Sequence, residues 1–220
     1  MTALTALVDL DGTLTDPADG IIGGFQFALR KVGAHVPEKA TLGWVIGPPL
    51  RKAFPKLLPD PNTASVEAAV TAYREYYSAT GIYEATVYAG IPEAMEQLRG
   101  AGFRLLVCTA KPRVFAGQVI EHFGLAHYFE GVYGAELDGR FDDKGDLIEH
   151  ILAERGLSPT GTVMIGDRGS DMTAAIRNAI PGIGVTWGYG ALEELQAAGA
   201  ERICRAPTAL AVCIQAVLRG

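Results

Sequence analysis

Leu4-Thr5-Ala6-Leu7-Val8-Asp9-Leu10-Asp11-Gly12-Thr13 is the stretch that decides the fold. Its first five residues are apolar and β-compatible, which suits a strand covered on both faces. The run then ends in two carboxylates, with Gly12 allowing a sharp backbone turn. A buried strand opening into a polar loop is predicted. The same form recurs at Phe103 to Cys108, Gly131 to Tyr133, Thr162 to Ile165 and Ile183 to Thr186, so five strands are expected.

Helical patterns separate those strands. Pro92 at a first helical position is followed by Met95 and Leu98 and stopped by Gly100 and Gly102. Phe115, Val119 and Phe123 form one stripe, Leu147, Ile148, Ile151 and Leu152 a second, and Met172, Ala175, Ile176 and Ala179 a third. Strands alternating with helices from about residue 88 onward predict an α/β fold, a doubly wound parallel sheet covered on both faces. Such sheets bind ligands at the carboxyl ends of their strands.

About 70 residues separate Asp16 from Val87, too many for an ordinary βα connection, so an inserted subdomain is expected. It reads as helical: Ile21, Ile22, Phe25, Ala28, Leu29 and Val32 share a face, as do Val66, Ala69, Val70, Tyr73 and Tyr77. Pro37, Pro48, Pro49, Pro55, Pro59 and Pro61 break the middle into short pieces. The predicted division is a core of residues 1–16 and 85–220 with a helical insert of residues 17–84.

The 220 residues are 49% hydrophobic and 20% charged, which places the chain among packed globular proteins rather than disordered ones. A net charge of −6 disfavours a nucleic-acid partner, whose phosphates attract a basic field. The first basic residue is Arg30, so the chain opens without the positive start of a signal peptide. No apolar run approaches the 18 or so residues that span a membrane. A soluble cytoplasmic protein without a membrane partner, monomeric or homodimeric, is expected. Cys108, Cys204 and Cys213 lack metal-ligand spacing and are odd in number, which fits free buried thiols.

The chemistry concentrates at strand ends. Asp9 and Asp11 stand two residues apart behind a buried strand; the plain alternative is an Asp-Gly turn with a capping aspartate. The second strand runs into Thr109-Ala110-Lys111, and the fourth into Gly166-Asp167-Arg168-Gly169-Ser170-Asp171. Alone, Thr109 reads as a strand-end hydroxyl and Asp167 equally well as a helix cap, but their shared position relative to Asp9 turns both toward function. Lys144, following Asp142 and Asp143, reads on its own as part of a solvated pair. Lys111 is the rival cation for a phosphate. His35, His122, His127 and His150 are scattered without ligand spacing and are read as structural.

With these residues in hand, the chain resembles the haloacid dehalogenase superfamily of hydrolases. Asp9-Leu10-Asp11-Gly12-Thr13 matches the first motif, Thr109 the second, Lys144 the basic residue of the third, and Gly166-Asp167 with Asp171 the acidic fourth. The resemblance implies the strand order 5-4-1-2-3 and a helical C1-type cap inserted at residues 17–84. It implies that Asp9, the backbone carbonyl of Asp11 and Asp167 bind a metal, with Asp171 supporting them from behind. Asp9 becomes the nucleophile, forming an aspartyl-phosphate, and Asp11 the acid and base. Thr109, the backbone at Ala110 and Lys144 then hold the phosphoryl group. Apart from the resemblance, an anionic phosphate among several aspartates requires a cation, and hard oxygen ligands suit Mg²⁺.

Position 11 sorts the family's reactions, and an aspartate there is similar to the phosphatases and phosphomutases rather than the dehalogenases. Leu137-Asp138-Gly139 and Val185-Thr186-Trp187-Gly188-Tyr189-Gly190 resemble the phosphoglycolate phosphatase branch, and Ile46-Gly47-Pro48-Pro49-Leu50 its 5′-nucleotidase-like relatives. The expected activity is hydrolysis of a small phosphorylated metabolite, phosphoglycolate-like or a nucleoside monophosphate. A phosphomutase of the β-phosphoglucomutase type is the alternative, followed by a phosphate-binding module without turnover. Residues 39–59 hold four basic residues and no acid, and Arg51, with Lys52, is the candidate for the substrate's distal anionic group; an ordinary solvated helix face is the competing reading.

Overall fold

The structure, a computed structural model, describes residues 4–218. In chain order its elements are β1 (Thr5–Val8), β2 (Thr15–Asp16), α1 (Ala18–Lys31), α2 (Leu50–Ala53), α3 (Thr63–Ala79), β3 (Thr86–Val87), α4 (Ile91–Gly100), β4 (Arg104–Pro112) and α5 (Arg113–His122). There follow β5 (Gly131–Ala135), α6 (Lys144–Arg155), β6 (Thr162–Gly166), α7 (Gly169–Arg177), β7 (Gly182–Val185), α8 (Leu192–Ala197), β8 (Arg202–Cys204) and α9 (Leu210–Leu218). The chain divides into two compact units, Met1–Asp16 with Val87–Gly220, and Pro17–Thr86.

The first unit is built on a six-stranded sheet of order β5-β4-β1-β6-β7-β8 in which every neighbouring pair is parallel. Counting the five expected strands along the chain, this is the order 5-4-1-2-3. The sixth strand, β8, escapes sequence reading because three residues, Arg202-Ile203-Cys204, are too few to show a period. Ala6, Val8, Leu105, Val107, Val163 and Ile165 alternate with Leu7, Leu106, Cys108 and Met164, and all are buried. That is the pattern of a sheet covered on both faces. One face packs on Leu147, Ile148 and Ile151 of α6 and on Ala174 and Ala175 of α7.

Register places the chemistry. Val8 pairs with Val107 on one side and Ile165 on the other, so the carboxyl ends of β1, β4 and β6 lie level. The backbone N–H of Asp9 donates to the carbonyl of Ile165 at 2.9 Å, extending that ladder into the first motif. α6 starts at Lys144 because the Asp143 side chain accepts from the N–H groups of Gly145 and Asp146, and it stops at Gly156, whose φ of +60° suits glycine.

Two stripes differ from expectation. Ile176 is exposed, and α7 instead buries Met172, Ala174 and Ala175. The helix packs on α6 as well as on the sheet, and Ala174 is buried in the cluster they share. On α5 the buried residues are Ala116, Val119 and Ile120, while Phe115 and Phe123 are only half-buried.

The second unit is helical. Phe25 of α1 meets Phe54 with ring centroids 4.6 Å apart and Tyr73 of α3 at 5.2 Å, and Tyr73 stacks on Tyr77. Aromatic pairs of this kind add about 0.5–1.5 kcal/mol each beyond the area they bury. α3 begins with a reciprocal cap between Asn62 and Ser65. Among the described residues no helix is long and apolar enough to cross a membrane, and Cys108, Cys204 and Cys213 are free and buried, as expected.

Candidate active site

The first motif is a tight turn. The carbonyl of Leu10 accepts from the N–H groups of Thr13, Leu14 and Thr15, which folds the chain back behind Asp9 and Asp11. Gly12 sits at φ +86°, and a Cβ there would run into the Asp167 carboxylate. Glycine is thus required twice over, by conformation and by space. Asp9 and Asp11 are both buried.

β4 does not run straight into the site. Its register against β5 shifts between Thr109 and Pro112, a bulge that re-aims the side chains at the strand end. Thr109 is buried and its Oγ1 accepts from the N–H of Lys111 at 3.2 Å. Lys111 is also buried, and its Nζ lies 2.5 Å from Asp11 Oδ2.

From α6, Lys144 is drawn inward rather than solvated. Its Nζ pairs with Asp171 Oδ1 and lies 3.0 Å from Asp9 Oδ1. The other Asp171 oxygen accepts from the N–H of Arg168 at 2.9 Å. Asp167, fully buried, accepts at Oδ2 from the N–H of Tyr189 at 2.7 Å and at Oδ1 from the Thr13 hydroxyl at 3.4 Å. Trp187 Nε1–H donates to the Thr13 carbonyl at 2.9 Å, so the loop after β7 closes against the first motif.

The electrostatics follow from four buried carboxylates facing two ammonium groups. Burial holds the Asp11 carboxyl above its ordinary range, against the opposing pull of Lys111. Burial, then the charges of Asp171 and Asp9, push Asp167 up to about 7. Asp171 is raised to about 6, chiefly by burial and against the pull of Lys144. Burial alone would lower the Lys144 ammonium, but Asp171 and Asp9 beside it raise it above the usual lysine range.

Negative charge in excess, concentrated out of water, is the condition a divalent cation relieves. Carboxylate oxygens of Asp9, Asp167 and Asp171 lie within 4.8 Å of one another. Asp9 Oδ1 and Asp11 Oδ1 are buried and accept no hydrogen bond; the Lys144 ammonium is close to the former without aligning one to it. An all-oxygen donor set with unsatisfied acceptors fits a hard cation.

The structure therefore brings together Asp9, Asp11, Thr109, Lys144, Asp167 and Asp171, with Ala110 inside the bulge between Thr109 and Lys111. Arg51 belongs to the other unit, where its guanidinium grips Glu67 through Nε at 2.6 Å and Nη2 at 3.0 Å. Sequence reasoning missed three features. Lys111 appeared only as a rival to Lys144, whereas each lysine has its own aspartate. Thr13 and the Trp187–Gly190 loop were not assigned to the site. The structure shows how closely that loop sits: a Cβ at Gly188 would strike Asp167 and the Gly12 carbonyl, and one at Gly190 the Asp167 carbonyl.

The chain is similar to known proteins. The family model described as haloacid dehalogenase-like hydrolase matches residues 6–185. A 5′-nucleotidase of Pseudomonas aeruginosa is 45% identical over 191 residues, covering 87% of this chain and 86% of the relative. The tyrosine-protein kinase PtkA of Mycobacterium tuberculosis is 39% identical over 184 residues, 84% of this chain but 62% of the relative. A phosphoglycolate phosphatase of Agrobacterium fabrum is 29% identical over 191 residues, 84% of this chain and 81% of the relative. Among solved structures, that of a predicted phosphatase from Clostridium acetobutylicum superposes with a TM-score of 0.93 at 38% identity, covering 98% of this chain and all of the other.

Proposed function

The chain belongs to the haloacid dehalogenase-like hydrolase family and is an enzyme of its phosphatase kind, and from that premise we propose that it hydrolyses a small phosphate monoester through an aspartyl-phosphate on Asp9. The observation that carries the reading is the pair of buried aspartates at the end of β1. Each keeps one oxygen free of hydrogen bonds, and each is flanked by its own lysine.

Phosphate monoesters react through transition states whose charge spreads over the phosphoryl oxygens, so catalysis rests on positioning and charge stabilisation. Asp9 attacks phosphorus and divides one hard displacement into two easier ones. Asp11 gives a proton to the departing ester oxygen and later takes one from water. Thr109 donates its hydroxyl to a phosphoryl oxygen, the bulge backbone at Ala110 adds an N–H, and Lys144 fixes Asp9 while supplying positive charge. Asp171 holds Lys144 in place.

The donor set fits Mg²⁺, which Asp9, the Asp11 carbonyl and Asp167 would hold. When bound it supplies charge neutralisation for the phosphoryl group. The 5′-nucleotidase and phosphoglycolate phosphatase relatives support a nucleoside monophosphate or a phosphoglycolate-like ester as the substrate class. Arg51 is proposed to recognise an anionic or polar group remote from the phosphoryl, with Glu67 orienting its guanidinium.

Phosphate release from a panel of nucleoside monophosphates, phosphoglycolate and sugar phosphates in Mg²⁺ tests the proposal. Release by wild type and none by Asp9→Asn is expected; equal release by both overturns it. Because one relative is a tyrosine kinase, the panel includes ATP with a tyrosine peptide. Labelled peptide without monoester hydrolysis would replace the phosphatase reading.

A further inference from the structure

We propose that Lys111 is the positioning residue of Asp11, gripping one carboxylate oxygen so that the other is presented to the leaving group. The inference rests on the acid–base role given to Asp11 above. Lys111 is buried to within 5% of its side-chain surface, and lysines at that depth are rare unless paired. Its Nζ stands 2.5 Å from Asp11 Oδ2, while Asp11 Oδ1 is buried without a hydrogen bond. The carboxylate is thus anchored at one oxygen and unengaged at the other.

The backbone is arranged for this contact. Thr109 and Lys111 stand two residues apart, the spacing that shares a strand face, and both are buried where the ladder to β5 shifts register between Thr109 and Pro112. On the neighbouring strand the bulge faces Gly134, where a Cβ would collide with the Lys111 carbonyl and come within 2.9 Å of the Arg113 nitrogen. The bulge is therefore built from two strands, and Gly134 is part of it. Lys144 serves different carboxylates, Asp171 and Asp9.

In the first half-reaction a bond forms between an Asp9 oxygen and phosphorus as the ester oxygen–phosphorus bond breaks. The electron pair stays on the ester oxygen, which takes the proton carried on Asp11 Oδ1 and departs as the alcohol. In the second, water bonds to phosphorus, the Asp9–phosphorus bond breaks, inorganic phosphate leaves, and the water proton passes to Asp11 Oδ1. Lys111 touches no reacting atom in either step. It fixes the plane of the carboxyl group, and a misplacement of about 1 Å at such a group costs on the order of 100-fold in rate.

The experiment compares kcat/KM, which reports the first half-reaction, for two esters. An alkyl phosphate needs its leaving oxygen protonated; p-nitrophenyl phosphate releases a stable phenolate and does not. Lys111→Met is expected to lower kcat/KM about 100-fold for the alkyl ester and less than about 5-fold for the aryl one. Equal losses on both esters overturn the proposal, since they mark a phosphoryl-binding or purely structural lysine. If thermal melting shows that the Met variant does not fold, Lys111→Gln is read by the same ratio. Wild type inactive on both esters, or Asp9→Asn as active as wild type, would instead sink the underlying hydrolase reading.

Discussion

The backbone N–H of Tyr189 donates a 2.7 Å hydrogen bond to Oδ2 of Asp167, joining the loop after β7 to the acidic end of β6. This bond occupies one oxygen of a carboxylate crowded by Asp9 and Asp171, and it leans on two glycines with no room for a side chain. The loop is therefore part of the site's framework and not a connector.

Gly190→Ala follows directly. Its Cβ would strike the Asp167 carbonyl, a backbone atom that cannot step aside. A destabilisation of about 1–3 kcal/mol is expected from the forced shift, with activity falling further because Asp167 moves with it. Thermal melting alongside phosphate release checks both parts. A variant as stable and as active as wild type would show that the loop yields freely.

Metal dependence has a readout besides turnover. Mg²⁺ is expected to raise the melting temperature of wild type, since it binds the folded state alone. In metal-free protein, Asp167→Asn removes one of the crowded negative charges and is expected to melt above wild type at pH 8. The sign follows from Asp167, whose folded value near 7 lies above its unfolded one, so its ionisation lowers stability as pH rises through that window. The gap should narrow as pH falls and close only near the unfolded carboxylate value of about 4, and Mg²⁺ should shift the variant less than wild type. A variant gap unchanged across this range would contradict the repulsion argument.

How much of this was legible beforehand depends on the range of the signal. Asp9, Asp11, Thr109 and Asp167 end short apolar runs, so local pattern alone located them, and parallel-sheet geometry supplied their convergence. Lys144 needed the motif resemblance, because its partners Asp9 and Asp171 are distant in sequence and nothing local distinguishes it from a solvated lysine. The β4 bulge and the Tyr189 contact were not legible. Both depend on which strand or loop lies alongside, Gly134 in one case and Gly188 and Gly190 in the other, and spacing within a segment carries no record of its neighbours.

Lys144→Met separates buried from exposed charge. Its ammonium compensates Asp9 and Asp171 out of water, so its loss leaves carboxylates unpaired and is expected to cost about 3–5 kcal/mol in metal-free protein. Arg177 also bridges two aspartates, Asp143 and Asp146, but its side chain is half exposed and screened by water, so Arg177→Met should barely move the melt. Denaturant melts of both variants, compared with wild type, test the contrast; equal losses would mean that depth makes no difference here.

Arg51→Ala tests substrate recognition apart from chemistry. The Arg51–Glu67 pair lies near the surface, with Glu67 almost half exposed, so its contribution to stability is expected to stay below about 1 kcal/mol. Glu67, held below the usual carboxylate range chiefly by its hydrogen bonds from Arg51, returns toward that range in the variant without leaving a buried charge behind. Unfolding therefore does not confound the kinetics. If Arg51 meets a distal anionic or polar group, KM for the best substrate of the panel should rise about tenfold while kcat holds, because the lost contact is made equally in the ground and transition states. On p-nitrophenyl phosphate, which carries no distal anion, KM should be unchanged. Glu67→Gln gives the complementary arm: it keeps the cation and removes only the carboxylate charge beside it, so it should raise KM less than Arg51→Ala does. A KM that stays at the wild-type value on every ester would leave Arg51 as a helix-surface ion pair and remove it from recognition.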